Sequence, residues 1–291
     1  MIQLRFLRLV LLLAATLLAI RGHVAADETD ELLKNSEALL SDGRADEALK
    51  LLDQACKLDA NNARAYHMRG NARDLLGKFS DAVADFTKSL ELNSKNSTAY
   101  HLRGQSYFKL GEFARSVEDF DKFLDLVPSK RPGHWQRGIS CYYAGQFDEG
   151  RKQFEGYEKV DTNDVENAVW RFLCMAKKDG IKKAQDDMMK IGHDTRVPLM
   201  EAYELYSGRA KVDDVLKAVR QGSPSESELK SRFFYANLYL GLYYDVQADK
   251  AKAIEHLAKA VKGPKISPYM WEVARIHLAE LEKDKKKPNS R

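Results

Sequence analysis

Small and apolar residues return along the chain at intervals of 34 residues. Within one interval, such as Ala99 to Phe120, apolar positions lie three or four residues apart in two successive segments, as on the buried faces of two helices. An interval of this length predicts a solenoid in which each repeat is one pair of helices. Four columns carry the signal: Gly70, Gly104 and Gly138 after Ser36; Gly43, Gly77, Gly111 and Gly145; Ala48, Ala82, Ser116 and Gly150; and Leu52, Phe86, Phe120 and Phe154.

The glycines of each interval have two predicted roles. Gly104 falls inside the first helix, where glycine costs about 1 kcal/mol relative to alanine. Its recurrence predicts that another backbone passes too closely for a β-carbon, with the small Ser116 opposite. Gly111 is predicted to end the first helix in the left-handed conformation that glycine adopts readily. Pro128 is predicted to close the second helix of its repeat.

The repeats define the predicted domains. Four of them occupy 27–164, and a further repeat with a final helix occupies 232–280, where Gly241, Tyr244, Ala253, Leu257 and Ala260 fall in the same columns. The intervening stretch 165–231 keeps a helical pattern without the glycines, which predicts degenerate helical pairs. The predicted bounds of the four repeats are 29–62, 63–96, 97–130 and 131–164, and a basic disordered tail is expected at 281–291.

This pattern resembles the tetratricopeptide repeat family, with large and small positions in helix A, glycine at the turn, and small and aromatic positions in helix B. The resemblance implies an all-α, right-handed superhelical solenoid of helix-turn-helix repeats that binds proteins or peptides in a concave groove lined by helix A. The family's groove-facing columns correspond here to His67, Asn71, Asp74, His101, Gln105, Phe108, Lys109, Trp135, Ile139, Tyr142 and Tyr143.

Three aromatic residues of this set, Phe108, Trp135 and Tyr142, are the predicted anchors of a bound segment, because aromatic side chains carry much of the energy of protein interfaces. For each of them the alternative role is packing between repeats. If the groove is not the site, the next candidates are Trp170 and the late aromatic stripe Tyr235, Tyr239 and Tyr243.

Arginines and aspartates also follow the 34-residue interval. Arg69, Arg103 and Arg137 occupy a helix A column that is usually apolar in the family, and Asp85 and Asp119 recur in helix B. Each arginine can pair within its own repeat or with the preceding one, and the sequence fits both arrangements. We interpret the series as a structural ladder of ion pairs rather than an anion site, since a partly buried guanidinium needs a partner.

The first 26 residues have the pattern of an export signal. A cationic start precedes an apolar run from Leu9 to Ile20, which is short of the roughly 20 residues that span a membrane. Small residues then end at Ala26, so the mature chain is expected to begin near Asp27 and to be periplasmic or secreted. An uncleaved anchor and a mitochondrial presequence are the alternatives. No cysteine precedes Cys56, so no lipid anchor is expected after cleavage.

Composition excludes several other classes of function. The formal net charge of +4 falls to +1 without Arg5, Arg8 and Arg21, which is no nucleic-acid footprint. The three cysteines, Cys56, Cys141 and Cys174, are too few and wrongly spaced for a disulfide framework or a zinc site, and are expected to be buried thiols. A Cys141–Cys174 bridge is the alternative in an oxidising compartment.

Catalysis finds no support in the motifs. The sequence contains no HExxH, GxSxG, GxxxxGK[ST] or CxxC pattern. His67 and His101 occupy the same column of successive repeats, roughly 10 Å apart at helix packing distances, which is too far to share a metal. We therefore expect a non-catalytic protein without cofactor or metal, whose partners are proteins or peptides.

The layout of the whole mature chain resembles the NlpI family of bacterial lipoproteins. The shared features are RGISCYYAGQF, the tryptophan-bearing helix after it and the late YLGLYY repeat, whereas the lipid-attachment cysteine is missing. The resemblance implies a homodimeric periplasmic adaptor for envelope proteases or peptidoglycan hydrolases. The alternatives are an architectural subunit of an envelope complex and a peptide-binding co-chaperone of the secretory pathway, although His67, Thr98 and Pro132 depart from the latter's carboxylate clamp.

Overall fold

The structure, a computed structural model, describes residues 26–157 and 159–286, apart from the side chains of 284–286. Its regular elements are all helical, and no strand occurs in these ranges. The predicted all-α solenoid of helix-turn-helix repeats is confirmed. The helices are α1 (26–41), α2 (Ala45–Leu58), α3 (Ala63–Leu75), α4 (Phe79–Leu92), α5 (Ser97–Leu110), α6 (Phe113–Leu126), α7 (Trp135–Tyr143), α8 (Phe147–Tyr157), α9 (Val165–Asp179), α10 (Ile181–Asp186), α11 (Leu199–Tyr206), α12 (Val212–Ala218), α13 (Glu226–Val246), α14 (Lys250–Lys262) and α15 (Pro268–Lys286).

Two compact units divide the described chain. Unit 1 extends to Leu126 and contains α1 to α6, and unit 2 begins at Val127 and contains α7 to α15. The predicted run of four repeats is therefore shared, with three repeats in unit 1 and the fourth in unit 2. The predicted export signal lies outside the described residues except for Ala26. None of the described helices combines the length and the apolar character of a membrane span.

The glycine inside helix A makes room for a side chain, not for a backbone. A β-carbon added to Gly104 would lie 2.9 Å from ring carbons of Phe120 and 3.3 Å from the β-carbon of Asp119. The prediction of a close backbone with Ser116 opposite is therefore wrong. A residue 16 positions further along the chain fills the same space at each such glycine: the pairs are Gly70–Phe86, Gly104–Phe120, Gly138–Phe154 and Gly241–Leu257.

The predicted helix ends are confirmed. The turn glycines of the second column have φ angles between +72° and +80°, in the left-handed region that other residues resist. Helix α6 ends at Leu126, and Pro128 opens a short 3-10 turn that closes the repeat.

Past the fourth repeat the pairs continue in modified form. The stretch 165–231 contains α9 with the short α10, and α11 with the short α12, followed by the start of α13. Helix α13 begins at Glu226, earlier than the predicted 232, because Ser225 and Glu228 form a capping box there. Helix α15 runs to Lys286, so that 281–286 of the predicted tail are helical, while 287–291 lie outside the described residues.

Helix α13 supplies the centre of unit 2. It packs against α9, α11, α12 and α14. Its buried residues are consecutive, from Ala236 to Leu242, and thus surround the helix instead of forming one stripe. Such a helix is a core element, and the aromatic stripe noted in the sequence lies on it.

Candidate functional site

The predicted binding residues of unit 1 lie on α3 and α5, and their polar groups are paired. The Asp74 carboxylate accepts a hydrogen bond from the Ser106 hydroxyl at 2.7 Å and forms an ion pair with Lys109. The Lys109 ammonium also lies 5.1 Å from the centre of the Phe79 ring. Phe108 is fully buried. The seven residues concerned are His67, Asn71, Asp74, His101, Gln105, Phe108 and Lys109.

The two histidines of this set pack against phenylalanines of helix B. The ring of His67 lies 5.8 Å from that of Phe86, and the ring of His101 lies 4.9 Å from that of Phe123. Burial lowers the pKa of both imidazoles, which favours their neutral forms. Nε2 of His101 is 2.9 Å from the Gln105 amide nitrogen, and Nδ1 of His67 is buried without a hydrogen-bond partner. No group of three metal-ligating side chains occurs among the described residues.

The predicted residues of unit 2 lie on α7, and most of them are packed in its interior. Ile139 and Tyr142 are buried. The Tyr143 hydroxyl is 2.9 Å from Nδ1 of His277, on the last helix. Trp135 is half-buried, and its ring meets Tyr269 edge-on at 5.0 Å. The burial of Phe108, Ile139 and Tyr142 places them where packing residues lie, and their role in binding stays a prediction.

The arginine ladder pairs within each repeat. Nε and Nη2 of Arg103 donate to the Asp119 carboxylate at 2.7 and 2.8 Å, and Arg69 meets Asp85 in the same bidentate way. The third arginine nitrogen reaches the preceding repeat. There Arg103 donates to the Thr87 hydroxyl at 3.0 Å, and Arg69 pairs with Asp53 at 3.0 Å. These arginines therefore clamp neighbouring repeats and are not presented to an anion.

Arg171 continues the ladder into unit 2, and the sequence prediction missed it. It lies one interval of 34 residues after Arg137. Its guanidinium donates to Glu155 at 3.1 Å, 16 residues earlier, and to Asp187 at 2.8 Å, 16 residues later. The loss of the glycine column from α9 concealed the register, which the arginine column still carried.

A cavity of about 210 Å³ opens beside the start of α9. Helices α7, α8, α9, α13 and α15 contribute to its walls, together with the irregular segment before α11. We call it the α9 cavity. Its lining residues are Trp135, Ile139, Phe154, Tyr157, Asp164, Glu166, Asn167, Trp170, Arg196, Tyr235, Ser267 and Met270. The structure thus brings Trp135, from the primary predicted set, together with Trp170 and Tyr235 from the alternative region.

Aromatic rings form one part of the cavity wall. Trp170 is 2% exposed and stacks on Phe154 with the ring centres 6.4 Å apart. Tyr235 lies parallel to Tyr239 at 6.5 Å, with an interplanar angle of 9°. Burial raises the pKa of Tyr235, and the nearby charge of Glu166 raises it further. The rings are therefore fixed by packing on their outer sides.

Carboxylates around one arginine form the other part. The Arg196 guanidinium donates to Glu166 at 2.6 Å, to Asp164 at 2.8 Å and to Asp194, behind the wall, through two nitrogens at 2.9 and 2.6 Å. The Tyr239 hydroxyl donates to the other oxygen of Glu166 at 2.5 Å. Asp164 also caps α9 by accepting from the Glu166 amide. The cluster carries three acids and one base.

Burial and pairing act in opposite directions on these carboxyl groups. Burial raises the pKa of Glu166, and the hydrogen bonds from Tyr239 and Arg196 offset it only in part. Burial also opposes ionisation of Asp194, but the hydrogen bonds from Arg196 and from the Val165 amide outweigh it, so its pKa lies below the ordinary value. The partners of Glu166 are both donors, which suits its carboxylate form.

Two polar atoms of the cavity wall have no partner. The Asn167 side chain is 4% exposed and donates its amide to the Phe154 carbonyl at 2.8 Å, whereas its oxygen Oδ1 accepts nothing. The indole nitrogen Nε1 of Trp170 also lacks an acceptor. An unsatisfied buried polar group costs about 1–3 kcal/mol. A bound segment that supplies a donor and an acceptor here would recover that free energy.

The acidic half of the site has little signal in the sequence. Asp164 could be foreseen as the cap of α9, since it precedes an apolar helical stretch. Arg196 lies in the irregular segment 187–198, outside any repeat column. Its position beside α9 depends on tertiary packing that periodicity does not encode.

The three cysteines are free and buried, and the alternative Cys141–Cys174 bridge is not formed. Burial raises the pKa of Cys56 to about 11 and also raises that of Cys174. A β-carbon added to Gly150 would lie 2.8 Å from Sγ of Cys174 and 3.5 Å from the β-carbon of Cys141, so both side chains lie against this glycine. They are packing residues of the fourth and fifth helix pairs.

Comparison with known proteins supports the fold. Residues 37–74 match a family model described as TPR repeat, and residues 67–131 match one described as tetratricopeptide repeat. No match was found among the curated proteins.

Solved structures with a similar fold share little sequence with this chain. A tetratricopeptide repeat protein from Parabacteroides merdae ATCC 43184 is 17% identical, with a TM-score of 0.57 over 88% of this chain and 99% of its own. YrrB, a TPR protein with an unusual peptide-binding site, is 19% identical, with a TM-score of 0.52 over 64% of this chain and 89% of its own.

MamA from Desulfovibrio magneticus RS-1 is a third such structure. It is 19% identical, with a TM-score of 0.50 over 55% of this chain and 90% of its own. Together with the two family models and the 34-residue packing of glycine against a large helix B residue, these likenesses identify the chain as a protein built from tetratricopeptide repeats.

Proposed function

We propose that this protein is an exported, non-catalytic scaffold that holds a partner protein by inserting a side chain of the partner into the α9 cavity. Tetratricopeptide repeats are a protein-interaction fold, and YrrB, of similar fold, is described as having a peptide-binding site. The observation that carries the proposal is the pair of unpartnered buried atoms, Asn167 Oδ1 and Trp170 Nε1, in the wall of an aromatic cavity.

The size of the cavity favours a side chain over a small-molecule ligand. Pockets for drug-sized ligands or cofactors usually measure about 300–1,000 Å³. The α9 cavity, at about 210 Å³, is smaller. An aromatic recess of this size is suited to one anchoring residue of a longer segment, whose remaining contacts lie outside the recess.

The predicted groove residues divide under this proposal. Trp135 and Ile139 line the α9 cavity, and Trp135 is the half-buried member that a partner can reach. In unit 1, Asp74 and Lys109 already satisfy each other. We therefore place the main anchor site in unit 2 and give the unit 1 residues a secondary role.

A peptide selected against the whole protein tests this function. A random peptide library is panned on the full chain, and the affinity of a selected peptide is measured by fluorescence anisotropy for the wild type and for Trp135→Ala. Loss of an interface anchor costs about 2 kcal/mol or more, so we expect binding to weaken about 30-fold. Trp271→Ala is the control, since Trp271 does not line the cavity. Equal binding by the wild type and Trp135→Ala would contradict the assignment.

Export and self-association complete the proposal. The pattern of residues 1–26 supports cleavage near Asp27, and the resemblance to the NlpI family supports a homodimeric adaptor for envelope proteases or peptidoglycan hydrolases. N-terminal sequencing of the protein from its native cells should begin at or near Asp27, and Met1 on a membrane-bound protein would contradict export. Light scattering should give a dimer at tens of micromolar, by order of magnitude a weak-affinity regime.

A further inference from the structure

We infer that the α9 cavity selects a cationic side chain, lysine or arginine, from the partner segment. The inference rests on the proposed function and specifies its ligand. It follows from the charge, the hydrogen-bonding capacity and the aromatic lining of the cavity wall. No such preference follows from the repeat pattern.

The charge around the cavity is negative. Asp164 and Glu166 line it, and Asp194 lies behind Arg196 with a depressed pKa. Against these three carboxylates the same cluster offers the single guanidinium of Arg196. A cation that enters the cavity meets an excess of negative charge in a partly desolvated setting, where charge interactions are stronger than in water.

An anion has no comparable partner there. Nε, Nη1 and Nη2 of Arg196 are all engaged by carboxylates at 2.6 to 2.9 Å. A guest carboxylate would have to displace one of these contacts and would lie beside the acids that remain. The arrangement is thus opposite in charge to the clamp by which co-chaperone repeats hold a terminal carboxylate.

The uncharged part of the wall also suits a cation. Tryptophan and tyrosine faces attract ammonium and guanidinium groups within about 6 Å. Trp135, Trp170 and Tyr235 provide such rings, and the unpartnered Oδ1 of Asn167 can accept an N–H. The indole N–H of Trp170 is left for a carbonyl of the same segment.

The volume permits a long side chain. An engineered cavity of about 150 Å³ holds benzene. At about 210 Å³, the α9 cavity can accept the longer lysine or arginine side chain, with its methylene groups against the rings.

Short peptides with one variable residue test the selectivity. The probes are acetylated and amidated Gly-Gly-X-Gly-Gly peptides in which X is lysine, arginine, norleucine or glutamate. They are titrated into the ¹⁵N-labelled full chain, and the three indole N–H signals are followed. Trp135 and Trp170 line the cavity, while Trp271, whose indole donates to the Val261 carbonyl, is an internal control.

The lysine or arginine peptide should shift the signals of Trp135 and Trp170 and leave Trp271 unchanged. Norleucine has the length of the lysine stem without its charge, and its peptide should bind at least about tenfold more weakly. A peptide with norleucine and a free N-terminus separates a side-chain cation from a terminal amine. Equal shifts with norleucine, tighter binding of the glutamate or free-amine peptide, or no shift with any probe would overturn the inference.

Two substitutions locate the charge effect. Glu166→Gln and Asp164→Asn should each weaken the lysine peptide several-fold relative to the norleucine peptide, as expected for one partly screened charge. Asparagine caps a helix as well as aspartate does, so Asp164→Asn keeps α9 intact if Glu166→Gln fails to fold. Glu204→Gln, which removes a comparable acid paired with Arg209 outside the cavity, should change nothing. Unchanged selectivity in both cavity variants would overturn the inference.

The inference can fail while the proposed function stands. If panned peptides require Trp135 but lack a basic residue, the cavity binds a segment by another chemistry. If panning selects no peptide that depends on Trp135, the proposed function itself is contradicted and the cation preference falls with it.

Discussion

In unit 1 the charged residues predicted to face a groove pair with one another, whereas in unit 2 buried polar atoms line a cavity without partners. Asp74 and Lys109 form an ion pair in unit 1. In unit 2, Asn167 and Trp170 each present an unsatisfied atom in the wall of the α9 cavity. The difference teaches that the candidate site lies where the repeat pattern has lost its regularity.

The physical reason lies in how a repeat closes on itself. In a regular pair, a large residue of helix B fills the space over the helix A glycine, as Phe120 does over Gly104. In α9 the corresponding position is Phe172, and the short α10 and the irregular segment 187–198 replace a full helix B. Less of the helix A surface is covered, and distant segments such as α13 and Arg196 complete the wall.

The largest effect is expected from breaking the unit 1 ladder. Arg103→Met strands the Asp119 carboxylate, which is 4% exposed, and loss of one partner of a buried pair costs about 3–5 kcal/mol. Urea unfolding measures the free energy directly. In a double-mutant cycle, Arg103 should couple to Asp119 by about 0.5–3 kcal/mol and to Asp85 hardly at all, since Asp85 pairs with Arg69 and Arg73. Additivity with Asp119 would mean that the arginine serves a ligand.

The next effect concerns the packing that the two units share. Gly104→Ala in unit 1 and Gly138→Ala in unit 2 would each force a β-carbon to within 3 Å of a buried phenylalanine ring, and such overpacking costs about 1–3 kcal/mol. Gly156→Ala is the matched control, because nothing lies within 4 Å of its β-carbon position, and alanine should stabilise α8 by up to about 1 kcal/mol. Thermal unfolding compares the three variants. Equal melting temperatures would show that the glycines do not govern packing.

A third effect tests a paired acid of unit 2 away from the cavity. Burial opposes ionisation of Asp245, but His277 and Lys177 outweigh it and lower its pKa from 3.8 to about 2. A depressed pKa stabilises the fold above the unfolded value of 3.8, and this contribution is lost as the pH falls from about 4 to 2. Asp245→Asn should therefore cost about 2 kcal/mol at pH 7. A deficit measured by urea unfolding that stays constant down to the acid limit would contradict this origin.

The smallest effect is expected at the unpartnered indole. Trp170→Phe removes an N–H that donates to nothing, and the relief of an unsatisfied donor offsets the lost packing volume. We expect the free energy of unfolding to change by less than about 1 kcal/mol. Differential scanning calorimetry on the wild type and the variant measures it. A loss comparable with that of Arg103→Met would remove the contrast between the units.

Much of the fold follows from the sequence because a 34-residue interval fixes which residues face each other. It placed the helix pairs, the turn glycines such as Gly111 and the own-repeat pairing as one of two options for Arg103. It did not identify the neighbour of Gly104, since a recurrent glycine does not reveal whether a ring or a backbone lies over it.

The candidate site followed only in part. Trp135, Trp170 and Tyr235 could be named because large aromatic residues stand out, yet their convergence depends on α7, α9 and α13 packing across long sequence separations. Phe108 and Tyr142 came from the same groove columns and are buried, because a large side chain in such a column can pack just as well as bind. Arg196 lies outside every column and needed the structure.

Hydrogen–deuterium exchange of the full chain, with and without a panned peptide, tests the contrast most directly. Binding in the α9 cavity should slow exchange in α7 and at the start of α9, in unit 2, while α3 and α5 of unit 1 keep the rates of the free protein. Protection confined to α3 and α5 would place the site on the regular repeats and contradict the account.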